Sequence, residues 1–102
     1  MGLVPIFYIR AQVIDDEFSR ECENALNMTL SQRYEEAIPL YESIVTTLKN
    51  QNSSPDLIAA WLKGLGTCKL YTGQTGDAEN IYFEALNLLL SLIHISEPTR
   101  HA

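Results

Sequence analysis

Two cysteines, a knot of carboxylates and a pair of large aromatics are the side chains here that could do chemistry. Cys22 and Cys68 could be reactive thiols, but a thiolate needs a histidine, a basic cluster or a metal to lower its pKa. Only Lys69, beside Cys68, offers any of these. Both cysteines therefore read as small buried hydrophobes. With no CxxC and no Cys/His cluster in the chain, they read as reduced thiols of a cytoplasmic protein. Asp15-Asp16-Glu17, with Glu21 and Glu23, is the densest carboxylate group. It could hold a hard cation, but its spacing fits no calcium loop. It reads as the solvated start of a helix, where the helix dipole favours anions. Glu35-Glu36 reads the same way for a second helix. Trp61 and Tyr71 could stack a planar ligand; at their spacing they read as core or inter-repeat packing.

The usual catalytic sets do not occur. There is no glycine-rich phosphate loop, no Ser/His/Asp set and no zinc spacing. The only histidines, His94 and His101, lie in the last nine residues. The expectation is a chain with no catalytic, metal or cofactor site. Seven Lys and Arg against thirteen Asp and Glu give a formal charge of −6, with no basic run to neutralise phosphates. Nucleic acid and anionic membrane surfaces are excluded as partners on this ground. The apolar run Leu3–Ile9 is far too short to span a bilayer, and no basic residue precedes it as in a signal peptide. Ile6 stands where an N-myristoylation site needs Ser or Thr. The sequons Asn27-Met28-Thr29 and Asn52-Ser53-Ser54 read as chance occurrences.

Residues 90–100 read LSLIHISEPTR, which resembles the translation of a transposon-based sequencing-library adaptor over eleven consecutive residues. The expectation is that the native sequence stops near Leu89 or Leu90, that residues 91–102 are foreign, and that the chain is a fragment of a longer protein.

The elements that must position the remaining side chains are helices. Phe18, Cys22, Ala25, Leu26 and Thr29 follow a 3.6-residue period. A second stripe runs Tyr34, Ala37, Ile38, Tyr41, Ile44, Val45 and Leu48. A third runs Ile58, Trp61, Leu62, Leu65 and Cys68, and a fourth Ala78, Ile81, Tyr82, Ala85, Leu86 and Leu89. Ser54 before Pro55 reads as an N-cap with proline at the first helical position, and Asp56 falls in that first turn. Gly73 can end the third helix in the left-handed region, and Thr75 can cap the fourth. Short turns near Ser31 and Gly73 make antiparallel hairpins. Pro39 lies inside the second helix and predicts a bend there.

The chain also repeats itself. Ala25 and Gly66, Ala37 and Ala78, Tyr41 and Tyr82 are each 41 residues apart. One helix pair used twice gives residues 15–50 as a first pair, 51–54 as a linker and 55–90 as a second pair. Residues 1–14 are either the end of a degenerate preceding repeat or a short N-terminal helix.

Leu65-Gly66, Gly73, Ala78, Tyr82 and Ala85-Leu86 together resemble the tetratricopeptide repeat pattern. The first pair matches less well, with Asn24, Ala25 and Ile44 at the leucine, glycine and late alanine positions. The 41-residue spacing and the string Tyr34-Glu35-Glu36-Ala37-Ile38-Pro39-Leu40-Tyr41 resemble the extended repeats of kinesin light chains, in which a proline inside the second helix is common. The resemblance covers about residues 15–90. It implies an all-α fold of antiparallel helix hairpins stacked as a short α-solenoid, whose concave groove binds a peptide or protein segment. Ser19, Cys22, Leu26, Thr29 and Leu30 would line that groove from one repeat, with Ala60, Lys63, Thr67, Leu70 and Tyr71 from the next. Chaperone-binding members use a Lys/Asn clamp for a terminal carboxylate. Cys22, Leu26 and Thr67 depart from it, so capture of a chaperone tail is not expected. The acidic chain would favour basic flanks on its partner. The alternatives are a structural or self-associating segment whose repeat edges pack on neighbouring repeats or a second copy, and a regulatory arm of a larger enzyme.

Overall fold

The computed structural model describes the backbone of residues 6–96 and the side chains of residues 16–93. It is all-α. Four helices, α1 (Ile6–Leu30), α2 (Tyr34–Asn50), α3 (Pro55–Tyr71) and α4 (Thr75–Ser96), follow one another, and each packs on the next. The molecule is a slab of 54 × 48 × 18 Å, about two helix diameters thick.

The hydrophobic periods decide which face each helix buries. Ala37, Tyr41, Ile44, Val45 and Leu48 of α2 are buried, as are Ile58, Ala59, Leu62, Leu65, Gly66 and Cys68 of α3. Ala25 of α1 and Ala78 and Ala85 of α4 complete the buried set. Most of the core thus lies on the two central helices. The outer helices meet it through buried alanines, which let backbones approach closely, and through half-buried side chains such as Phe18, Met28, Ile81 and Leu89. No charged side chain is buried among the described residues, and the Tyr41 hydroxyl, buried with its ring, is hydrogen-bonded.

Three helix ends share one device. The amides of Arg33, Ser53 and Gln74 donate to the carbonyls of Met28, Leu48 and Lys69, five residues back, at 2.8, 3.0 and 2.8 Å. Just before them, Gln32, Asn52 and Gly73 adopt φ of 63°, 55° and 84°. These are Schellman ends, which satisfy carbonyls the helix itself cannot. Gln32 and Gly73 stand 41 residues apart, so the repeat extends to the turns.

Several local expectations meet corrections. α1 begins at Ile6 and runs unbroken through residue 15, because no glycine or proline interrupts residues 6–30. Asp16, Glu17, Glu21 and Glu23 therefore lie mid-helix, not at a helix start; the side chain of Asp15 is outside the described residues. Ser54 is the N-cap of α3 but makes no capping bond to the backbone. Its hydroxyl instead serves Asp56, which is the main reason that carboxyl sits below its usual pKa value; desolvation opposes this, and the Asp56 and Leu57 amides add to it. Thr75 is the first residue of α4. The cap position falls to Gln74, whose carbonyl accepts from the Ala78 amide at 3.0 Å. α2 runs through Pro39, which is exposed, as is Glu35, whose carbonyl loses an amide partner. Leu86, placed on the inward stripe of α4, is 48% exposed. α4 continues across the adaptor-like string as far as Ser96.

Candidate functional site: an apolar cleft between α1 and α3

Tyr41 is the residue around which this site is built. Its ring sits on the inward stripe of α2 and is 3% exposed. Gly64 of α3 makes the close approach possible: a Cβ there would lie 2.6 Å from Tyr41 Cε1. The Trp61 indole, one turn earlier, tilts 49° against the same ring at a centroid distance of 5.5 Å. From the α1 side, the Thr29 hydroxyl donates to the Ala25 carbonyl at 2.9 Å. Its single proton is thereby used, so the Tyr41 hydroxyl donates to it across 3.0 Å. Cys68 Sγ lies 4.0 Å from the same hydroxyl. Tyr41 is thus fixed by α1, α2 and α3 together.

Above this ring lies a cleft of about 340 Å3, lined by Leu26, Tyr41, Ala60, Trp61 and Gly64. Leu26 is 49% exposed and forms the α1 wall. The lining is mostly apolar; its polar side-chain groups are the Trp61 indole N–H and the Tyr41 hydroxyl, the latter already in a hydrogen bond. A cleft of this size and lining can take up one or two apolar side chains of a bound segment. Lys63, adjacent to Gly64, is exposed and makes no ion pair among the described residues.

The structure gathers some of the groove residues foreseen in the sequence and scatters others. Leu26 and Ala60 face each other across the cleft. Cys22, half-buried, lies one turn before Leu26 on α1. Thr29 is held in the packing under Tyr41 rather than offered to a ligand. Thr67 turns to α4: it donates to the Lys63 carbonyl at 2.9 Å and accepts from the Tyr82 hydroxyl at 3.0 Å. Leu70 is half-exposed and does not line the cleft. Tyr71 stacks on Tyr34 with ring centroids 4.6 Å apart and planes 16° from parallel. Trp61 and Tyr71 therefore belong to different places, one against Tyr41 and one against Tyr34, and do not form a sandwich for a ligand. Tyr41, Trp61 and Gly64 were absent from the expected groove lining. Trp61 and Gly64 stand one turn apart on one face of α3, but nothing in the sequence of α3 alone pairs that face with Tyr41.

Two larger clefts carry charged side chains. One of about 480 Å3 surrounds the Tyr34–Tyr71 stack with Gln32, Arg33, Glu35, Glu36 and Thr72. Its charges are largely spent on each other, with Arg33 and Glu36 paired at 2.6 Å. The other, of about 500 Å3, is lined by Glu17, Phe18, Arg20, Glu21, Asn24 and Thr47.

Both thiols are held protonated by their surroundings. Burial pushes up the pKa of Cys22, and the charge of Glu21 adds to it. Burial also raises that of Cys68, against a smaller opposing effect of the Thr29 hydroxyl. Lys69, the one cation near Cys68 in sequence, is engaged with Asp77 at 3.5 Å and Glu42 at 3.8 Å. At pH 8 we expect a thiol reagent to modify Cys22 slowly and Cys68, which is 0% exposed, only as the chain unfolds; urea should make both fast. The folded chain favours the protonated thiol. This contribution to stability is therefore present below the ordinary thiol value of 9.0 and lost as pH rises through the raised folded values. Urea midpoints should fall above about pH 9 in the parent and less steeply in a Cys68→Ala variant.

Among the described residues no group of three metal-ligating side chains converges, and no helix is long and apolar enough to cross a membrane. Comparison with protein-family models, curated proteins and solved structures finds no match to this chain.

Proposed function

We propose that this chain is a non-catalytic protein-interaction module of the tetratricopeptide class that takes a peptide or protein segment across the cleft between α1 and α3. The observation that carries this reading is the Leu26–Ala60–Trp61–Gly64 cleft over a fixed Tyr41 ring. A rigid aromatic floor loses little entropy on binding, and an aromatic anchor in an apolar cleft is the usual centre of a binding hot spot. Binding would bury the partner's apolar side chains, and the chain's charge of −6 would favour basic flanks. The reading carries no cofactor, nucleic acid or membrane, and a reducing cytoplasmic setting suits the two free cysteines.

A peptide display selection on the chain tests this. Sequences with an apolar anchor and basic neighbours should be enriched, and Leu26→Arg should weaken their binding at least tenfold while leaving helicity intact. Absence of enrichment, or enriched peptides indifferent to Leu26→Arg, would overturn the reading. The exposed apolar face of α4 favours a second reading as well, in which the chain packs against another helical segment.

A further inference from the structure

The 41-residue repeat carries a covered wall of the first helix pair onto an open wall of the second. In the first pair, Tyr41 has its ring against Gly64 and Trp61 of α3, and Glu42 meets Lys69 of α3 at 3.8 Å. Forty-one residues on, Ile38, Tyr41, Glu42 and Val45 become Glu79, Tyr82, Phe83 and Leu86. Those four line a single cleft of about 370 Å3. No element among the described residues covers it: Phe83 is 63% and Leu86 48% exposed. Tyr82 is nonetheless braced as Tyr41 is. Its hydroxyl donates to Thr67 at 3.0 Å, and its ring lies against Gly66, where a Cβ would come within 2.8 Å of Cε1. α4 thus presents the counterpart of a surface that a helix already occupies on α2.

The differences between the two walls define the occupant. A helix reaches the Tyr41 ring only through a glycine, since a Cβ at Gly64 would lie 2.6 Å from Cε1, so the occupant needs a glycine at Tyr82. Five residues after Gly64, α3 brings Lys69 to Glu42; at that position the occupant meets Phe83 and needs an aliphatic residue. Glu79 is exposed and makes no ion pair among the described residues, which suits a basic residue opposite it. The chain's own α1 does not meet this description, because by the same offset Glu23 and Arg20 stand where α3 has Gly64 and Trp61.

We propose that the Tyr82–Phe83–Leu86 face docks an amphipathic helix that bears a glycine against Tyr82, an aliphatic residue five positions later against Phe83, and a basic residue opposite Glu79. This deepens the second reading and uses a surface separate from the α1–α3 cleft; its residues all precede the adaptor-like string. Helix-in-groove binding is read through such regularly spaced anchors.

The probe is a fluorescein-labelled, C-terminally amidated peptide copied from residues 54–72 with Lys69→Leu, followed by anisotropy against the 102-residue chain. Saturable binding is expected. Gly64→Leu in the peptide and Leu86→Glu in the chain should each raise Kd at least tenfold. Leu86→Glu should keep its helical circular dichroism because the site is half-exposed. Leu26→Arg in the chain should leave this Kd unchanged, which separates failure here from failure of the cleft reading. Absence of saturation at millimolar chain, or binding indifferent to Leu86→Glu, overturns the proposal. So does a chain that sediments as a dimer, loses that dimer on Leu86→Glu and binds no peptide, since the face would then belong to a second copy.

Discussion

Replacing Ile44 with alanine should lower stability by about 3–4 kcal/mol, as removal of a fully buried branched side chain leaves a cavity as well as lost transfer energy. Ile44 is 0% exposed and sits on α2, which packs between α1 and α3. At roughly 4–8 °C per kcal/mol for a domain of this size, the melting midpoint should fall by roughly 12–30 °C. Against a total stability at the low end of about 5–15 kcal/mol, the variant stands near the limit of folding. Leu86→Ala on the exposed face of α4 should change stability by no more than about 0.5 kcal/mol. Thermal melts by circular dichroism measure both; equal effects would mean that the core is not centred on α2.

Gly64→Leu should be nearly as damaging, for the opposite reason. Helix propensity alone predicts a gain of almost 1 kcal/mol when a glycine inside a helix is replaced. Here the first added carbon would fall 2.6 Å from Tyr41 Cε1. That ring cannot step aside cheaply, because Trp61 flanks it and Thr29 holds its hydroxyl. Overpacking a well-filled site costs about 1–3 kcal/mol, and a leucine whose whole side chain must find room belongs at the upper end. Gly76→Ala is the control, since a Cβ there meets nothing within 4 Å. It should be neutral or stabilise by a few tenths of a kcal/mol, less than mid-helix because the site lies in the first turn. A Gly64→Leu melt at or above the parent's midpoint would show that α3 does not seat on Tyr41 as described.

What could be read from the sequence was whatever local chemistry decides. Pro55 fixed the start of α3, and Gly73 its end, because each residue has few backbone alternatives. The inward stripes of α2 and α3 were legible because these helices are covered on both flanks. α1 and α4 were harder. Each is covered on one flank, so Leu26 and Leu86 obey the helical period and still face outward. The turn at Gln32 gave no signal of its own, since glutamine is an uncommon choice for a positive φ. Its Schellman geometry follows from the hydrogen bonds it closes. The start of α1 does not coincide with the run of acids at residues 15–17, because mid-helix carboxylates are ordinary on a solvated face and mark no helix end by themselves. The cleft was half legible. Spacing put Leu26 and Ala60 on facing helices, but the pairing of Trp61 and Gly64 with Tyr41 depends on the register between α2 and α3, which no single-helix pattern encodes.

Trp61 is the sole tryptophan of the chain and forms a wall of the α1–α3 cleft, so its fluorescence tests the central claim most directly. Titration with a peptide selected on the chain should shift Trp61 emission to the blue and saturate. Leu26→Arg should abolish both the shift and the binding. A selected peptide that binds with Trp61 emission unchanged, or that shifts it equally in Leu26→Arg, would contradict the assignment of this cleft as the binding site.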